Sequence, residues 1–169
     1  MDDELLYEVD EHDQAIGPRA RAELHRLGLR HRAVHILVFN DRNELFLQKR
    51  SMAKDINPGL WDTSAAGHVD FGESYDECAR RELEEELGLV ETAGLSFLFK
   101  LPASARTGWE FARVYRLEYS GVPRLNADEI DEGRWFPRDA VDAWVAGGAE
   151  NLTASFRLIW QTYRNLPEP

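Results

Sequence analysis

The sequence has a single cysteine, Cys78, so no disulfide can close within the chain. That composition fits a reducing compartment. No apolar run approaches the roughly 18 residues that cross a bilayer. The N-terminal stretch MDDELLYEVD is acidic, where a secretory signal would be basic and then apolar. These absences predict a cytoplasmic protein with no membrane partner. Base is scarce beside acid: 20 Lys and Arg stand against 31 Asp and Glu, a formal net charge of −11. A surface of that sign repels nucleic-acid backbones, which argues against a DNA- or RNA-coating role. A small phosphorylated partner remains compatible, because metal ions and a few local cations override the global field. Internal repeats, linkers and low-complexity runs are also missing. With 169 residues of ordinary apolar content, the chain reads as one domain with its own core.

What is present centres on Gly67 to Leu89, GHVDFGESYDECARRELEEELGL. Ser74 followed by Glu77 has the spacing of a capping box, and Gly88 stands where a helix end needs a left-handed residue. On a helical wheel Ala79, Leu83 and Leu87 form a narrow apolar stripe. Glu82, Glu85 and Glu86 fall side by side on its flank, whereas Glu84 points elsewhere with Glu77 and Arg80. Like charges at this spacing cost a helix only about 0.2–0.5 kcal/mol each, so an exposed acid face is the plain reading. The glycine turn ahead of the helix adds a second feature. Glycine lets backbone approach a ligand and frees a carbonyl as an oxygen donor. Three carboxylates and a carbonyl make a hard-oxygen site suited to Mg²⁺ or Mn²⁺.

This stretch resembles the Nudix box, G-x5-E-x7-R-E-U-x-E-E-x-G-U, with U aliphatic. Gly67, Glu73, Arg81, Glu82, Leu83, Glu85, Glu86, Gly88 and Leu89 fill every specified position. A chance match is on the order of one in ten million. The resemblance implies a Nudix-type α/β/α sandwich with a central mixed sheet, one domain over residues 1–169 with an N-terminal extension over about 1–30. It implies a metal site made by the Gly67 carbonyl with Glu82, Glu85 and Glu86, and a brace between Glu73 and Arg81. It also implies cleavage of a diphosphate linkage in a small molecule.

The rest of the chain reads in order as follows. Leu5 to Val9 predicts an edge strand, with a partner through Ala15 and Ile16, and Arg19 to Leu27 a short helix ending at Gly28. RAVHILVF, Arg32 to Phe39, predicts a buried strand. A turn over Asn40 to Asn43 leads to a hairpin partner, Glu44 to Arg50. WDTSAAGHV predicts one short strand feeding the box. Ala93 to Leu101 and Phe111 to Tyr119 predict two long strands, Arg134 to Phe136 a short one. Pro137 is expected in the first turn of a helix that ends at Gly147-Gly148. Phe156, Ile159, Trp160 and Tyr163 mark the core face of a last helix, Thr153 to Arg164.

Beyond the box, LQKRS..K...PGLWDTS.AGHV resembles the Nudix branch of isopentenyl-diphosphate isomerase, over roughly Glu8 to Trp135. Ala66 stands where that enzyme has its catalytic cysteine, and Gly108 where it has a ligating acid. By this resemblance His25, His31, His68 and Glu110 form a second metal site, and Arg50 and Lys54 grip the substrate's phosphates. His12 and His35 match nothing in it. The missing cysteine and the complete box shift the expectation from isomerase to hydrolase. The expected reaction is metal-dependent hydrolysis of a nucleoside di- or triphosphate or a related metabolite, with Glu82, Glu85 or Glu110 as general base. An isomerase-like enzyme and a non-catalytic diphosphate sensor are the alternatives. The expected oligomeric state is monomer or homodimer.

Overall fold

Along HRAVHILVF six of nine residues are apolar and eight are buried, so the strand must be covered on both sides. The computed structural model of the chain describes residues 4–167; residues 1–3 and 168–169 of the expected domain lie outside the described part. The strands are β1 Leu5–Val9, β2 Ala15–Ala20, β3 His31–Phe39, β4 Leu45–Arg50, β5 Trp61–Asp62, β6 Ala65–His68, β7 Ser96–Leu101, β8 Glu110–Glu118 and β9 Ile130–Phe136. The helices are α1 Arg21–Leu27, α2 Tyr75–Leu87, α3 Arg138–Ala146 and α4 Ala154–Arg164. β3 lies in the middle of a mixed seven-stranded sheet. It runs parallel to β8 on one side. On the other side it meets β6 near its start and β4 at Phe39.

Strand alternation sends successive β3 side chains to opposite layers. Val34, Ile36 and Val38 pack with Cys78, Ala79, Leu83 and Leu87 of α2. Leu37 and Phe39 face the other way, into a cluster with Val141 of α3 and Phe156, Ile159 and Trp160 of α4. This is the expected sandwich of helices on both faces of a mixed sheet. Ala33 and His35 share the face of Leu37 but line a cavity. Among the described residues no helix is long and apolar enough to cross a membrane.

Several boundaries differ from the sequence reading. Residues Arg19 and Ala20 remain in β2, opposite Leu6 and Leu5, so α1 begins only at Arg21. Trp61 to His68 is two strands, because β5 pairs with β4 and β6 crosses to β3. β7 starts at Ser96, after a turn in which Leu95 N donates to Thr92 O. β9 begins at Ile130, since the polar IDEG pairs with Gln48 to Arg50. Pro137 is the N-cap of α3 rather than a residue of its first turn.

The β1–β2 hairpin is bound to the rest by Asp13, which has a left-handed backbone, φ 61°. Its buried carboxylate accepts from Arg32 Nε at 2.7 Å, from Tyr75 Oη at 2.8 Å, and from Lys100 Nζ. Burial disfavours the Asp13 charge, but these three donors outweigh it and hold its pKa below the ordinary value.

Candidate active site

α2 forms as its termini require. Ser74 Oγ accepts from Glu77 N, the Glu77 carboxylate accepts from Ser74 N, and Gly88 closes the helix with φ 68°. With the apolar stripe turned into the core, Glu82 and Glu86 are drawn under the surface beside it. Glu85 stays on the rim with 55% of its side chain exposed, and Glu84 is exposed away from the group. Arg81 grips Glu73 through Nε at 2.7 Å and Nη2 at 3.0 Å, reaches His68 O at 3.1 Å, and contacts Glu82 and Glu85. Helix and preceding loop are thus held together by one guanidinium.

Gly67 stands directly against Glu82. A Cβ at residue 67 would lie 2.2 Å from Glu82 Cδ, so the close approach needs glycine. Glu86 accepts from Ala66 N at 2.9 Å and from Gln48 Nε2 at 3.2 Å. Burial pushes both glutamate pKa values up. For Glu82 the neighbouring Glu86 charge adds to it, and for Glu86 the two hydrogen bonds partly oppose it. Two carboxylates buried this closely are what a divalent cation would relieve, so the donor set fits a hard-oxygen metal.

The structure brings together His25, His31, His68 and Glu110, whose candidate ligand atoms all lie within 4.8 Å of one another. The residues arrive from α1, β3, β6 and β8. His68 Nε2 is 2.9 Å from Glu110 Oε2, and His31 Nε2 is 3.4 Å from it. His31 Nδ1 is bound to Leu29 O at 2.8 Å, while its buried Nε2 has no hydrogen-bond partner among the described residues. Burial, then repulsion from His68 and His31, lowers the His25 pKa from 6.5 to about 4, which keeps its ring neutral. Burial opposes ionisation of Glu110, but the His31 and His68 rings beside it outweigh this and hold it charged. Three imidazoles, one of them with an orphaned nitrogen, and one carboxylate fit a second divalent ion.

Both groups line one cavity of about 820 Å³. Arg50 and Lys54, the expected phosphate contacts, also line it. Arg50 donates Nε and Nη2 to Ile56 O, leaving Nη1 with Asp62 Oδ2 at 3.8 Å. Lys54 is paired with Glu129. Gly108, at the position of the isomerase's acid, is in the wall with φ 65°. Sequence reasoning missed Gln48, Asp62 and Glu129, which the fold brings in from β4, β5 and the loop before β9. His35 was set aside for matching no family ligand. The signal was its alternation with His31 and Ala33 on one strand face.

The chain belongs to the NUDIX domain family, as a Nudix hydrolase: the family model matches residues 29–156. It is 41% identical over 138 residues to an uncharacterized Nudix hydrolase of Pseudomonas aeruginosa, covering 79% of each chain. It is 32% identical over 161 residues to isopentenyl-diphosphate Delta-isomerase 2 of Photorhabdus laumondii, covering 93% of this chain and 90% of that one. Among solved structures, the DR0079 protein of Deinococcus radiodurans superposes with a TM-score of 0.83 at 28% identity, covering 94% of this chain and 98% of that one. Enzymes of this family generally use divalent metal ions and act on nucleoside-diphosphate-linked small molecules.

Proposed function

We propose that the chain hydrolyses the diphosphate linkage of a nucleoside di- or triphosphate or a related nucleoside-diphosphate metabolite, using Mg²⁺ or Mn²⁺. In this reading Gly67 O, Glu82, Glu85 and Glu86 hold the ion at the box, and His25, His31, His68 and Glu110 hold a second. The observation that carries it is the buried pair Glu82 and Glu86, the first packed against Gly67 and the second accepting from Ala66 N. Against that burial Glu82 has the Arg81 guanidinium and Glu86 has only neutral donors, so a cation joining the two acids would offset the cost of burying them.

A bound ion would polarise phosphate oxygens and acidify the attacking water. The chain's own residues do the remainder. Arg50 and Lys54 would meet the substrate's phosphates from the cavity wall. Arg81 keeps the helix and the Gly67 loop in register. Of the three candidate bases, Glu85 has the most exposed carboxylate, whereas Glu110 is already engaged by His31 and His68. All three stay in contention as proton acceptors. We also take residues 1–169 as one domain working in the cytoplasm, with the hairpin bound on by Asp13.

The relatives named as isomerases favour a second reading, in which a prenyl diphosphate is isomerised. Ala66 opposes it, because a methyl group neither gives nor takes a proton. The cavity wall opposes it too: among the described residues Ile56 is its one large apolar side chain. The test is incubation with nucleoside di- and triphosphates and, separately, isopentenyl diphosphate, each with Mg²⁺. Phosphate or pyrophosphate release from the nucleotides is expected. Conversion of isopentenyl diphosphate to its allylic isomer without release from any nucleotide overturns the hydrolase reading.

A further inference from the structure

We propose that His35 is a specificity-determining residue whose Nε2 accepts a hydrogen bond from a hydroxyl of the sugar attached to the substrate's diphosphate. The proposal rests on the diphosphate-hydrolase reading above and deepens it.

His35 is only 4% exposed, yet it lines the cavity. Its Nδ1 lies 2.8 Å from Thr63 Oγ1. The Thr63 hydroxyl has one hydrogen, and Ala65 O, 3.3 Å away, is within its reach as an acceptor. Thr63 Oγ1 can then accept from the ring, and we assign the imidazole proton to Nδ1 on that basis. Asp62 Oδ1, 3.9 Å from Nδ1, favours the same tautomer. Asp62 is itself held by Thr63 N at 2.7 Å and Thr153 Oγ1 at 3.1 Å. With Nδ1–H fixed this way, Nε2 is a lone-pair acceptor. It has no protein partner among the described residues. His35 Nε2 opens to the cavity, where a ligand's donor can reach it in place of water.

The position says which part of a ligand. His35 is the cross-strand partner of Ala66. Ala66 N–H is the donor to Glu86 Oε1, so His35 stands one strand away from the box carboxylates. Side chains of such a pair lie on one face with Cβ atoms about 4.5–5.5 Å apart. Because residue 66 carries only a methyl group, the space in front of the imidazole is open. A group beside the diphosphate site meets the first atoms of the substrate beyond phosphorus, which in a nucleotide are the sugar. No Phe, Tyr or Trp lines the cavity among the described residues, so nothing there stacks a base. Ser155, at the start of α4, supplies a further hydroxyl to the cavity lining. The chemistry on offer is hydroxyl recognition.

The test compares the four ribonucleoside diphosphates with their 2′-deoxy and 3′-deoxy analogues, with Mg²⁺, by initial rates and by binding calorimetry. Wild type is expected to prefer the ribo form over at least one deoxy form by about 10- to 100-fold in kcat/KM, carried mainly by KM. His35→Gln should erase most of that preference. Thr63→Val keeps the ring but removes the oxygen that holds Nδ1–H, and should weaken the preference in the same direction. Thermal melts check folding, and the wild-type comparison decides the matter even if a variant fails to fold. Turnover without ribo–deoxy discrimination in wild type overturns the proposal alone. An equal loss of kcat on ribo and deoxy forms in His35→Gln also overturns it, since that marks a group acting on the water. Discriminating binding without turnover supports the proposal and sinks the hydrolase reading. Neither binding nor turnover with any nucleoside diphosphate sinks both.

Discussion

Gly67 and Glu82 fit together only because residue 67 has no side chain: a Cβ there would lie 2.2 Å from the carboxylate carbon and 2.2 Å from Oε1. The Gly67→Ala variant must move either the loop or the glutamate. A misplacement of about 1 Å at a reacting centre costs about 10²-fold in rate. We therefore expect Gly67→Ala to fold, to lose about 10²-fold in kcat/KM, and to show a smaller rise in Tm on adding Mg²⁺. Unchanged activity would show that the close approach has no bearing on the chemistry.

Neutralising the buried acids should separate stability from activity. Glu82→Gln and Glu86→Gln each remove a charge that burial disfavours. Their Tm without metal should hold or rise, while turnover falls by about 10²-fold or more. In wild type, Mg²⁺ or Mn²⁺ should raise Tm by mass action. Glu84→Gln should keep that response, because Glu84 is exposed and off the cluster. Paired melts and rates check this. Loss of the metal response in Glu84→Gln to the same degree as in Glu86→Gln would contradict it.

Asp13 predicts an acid-limb effect. Its folded pKa lies below the ordinary 3.8, so its contribution is fully present above that value and is lost as pH falls through the folded pKa. Asp13→Asn leaves Arg32 and Lys100 without their carboxylate. Both cations keep some contact with water, so a cost of about 2–4 kcal/mol at neutral pH is expected. Denaturant titrations at several pH values should show the gap to wild type narrowing below pH 3.8. A gap that widens in acid would refute the assignment.

Restoring the missing thiol should not make an isomerase. Ala66→Cys supplies one proton-transfer group, but Gly108 still offers no side chain and the cavity wall stays polar. Moving a double bond needs an acid and a base on opposite faces of the hydrocarbon. Isopentenyl diphosphate incubated with the variant and Mg²⁺, followed by NMR, should give no efficient conversion to the allylic isomer. Rapid conversion would show that the thiol alone was lacking.

How much was legible from the chain can be argued residue by residue. The box helix was: Ser74, Glu77 and Gly88 act within a few residues of themselves, and a helical wheel needs only the period to put Glu82, Glu85 and Glu86 on one flank. The buried strand over Arg32 to Phe39 was legible for a similar reason, since its apolar run has no other comfortable place. What the sequence could not say is which acids on that flank are covered. Glu86 is buried because Ala66 N and Gln48 come to it from 20 and 38 residues away, while Glu85 is left on the rim. The break of WDTSAAGHV into β5 and β6, and the pairing of IDEG in β9, were likewise set by partners distant in sequence. His35 is the clearest case. The sequence by itself determined that it alternates with His31 on a strand. Only the tertiary structure decided that Thr63 holds its Nδ1, that Ala66 stands beside it, and that its remaining nitrogen faces a cavity. Strand pairing and hydrogen-bond partners are long-range contacts, and no local pattern encodes them.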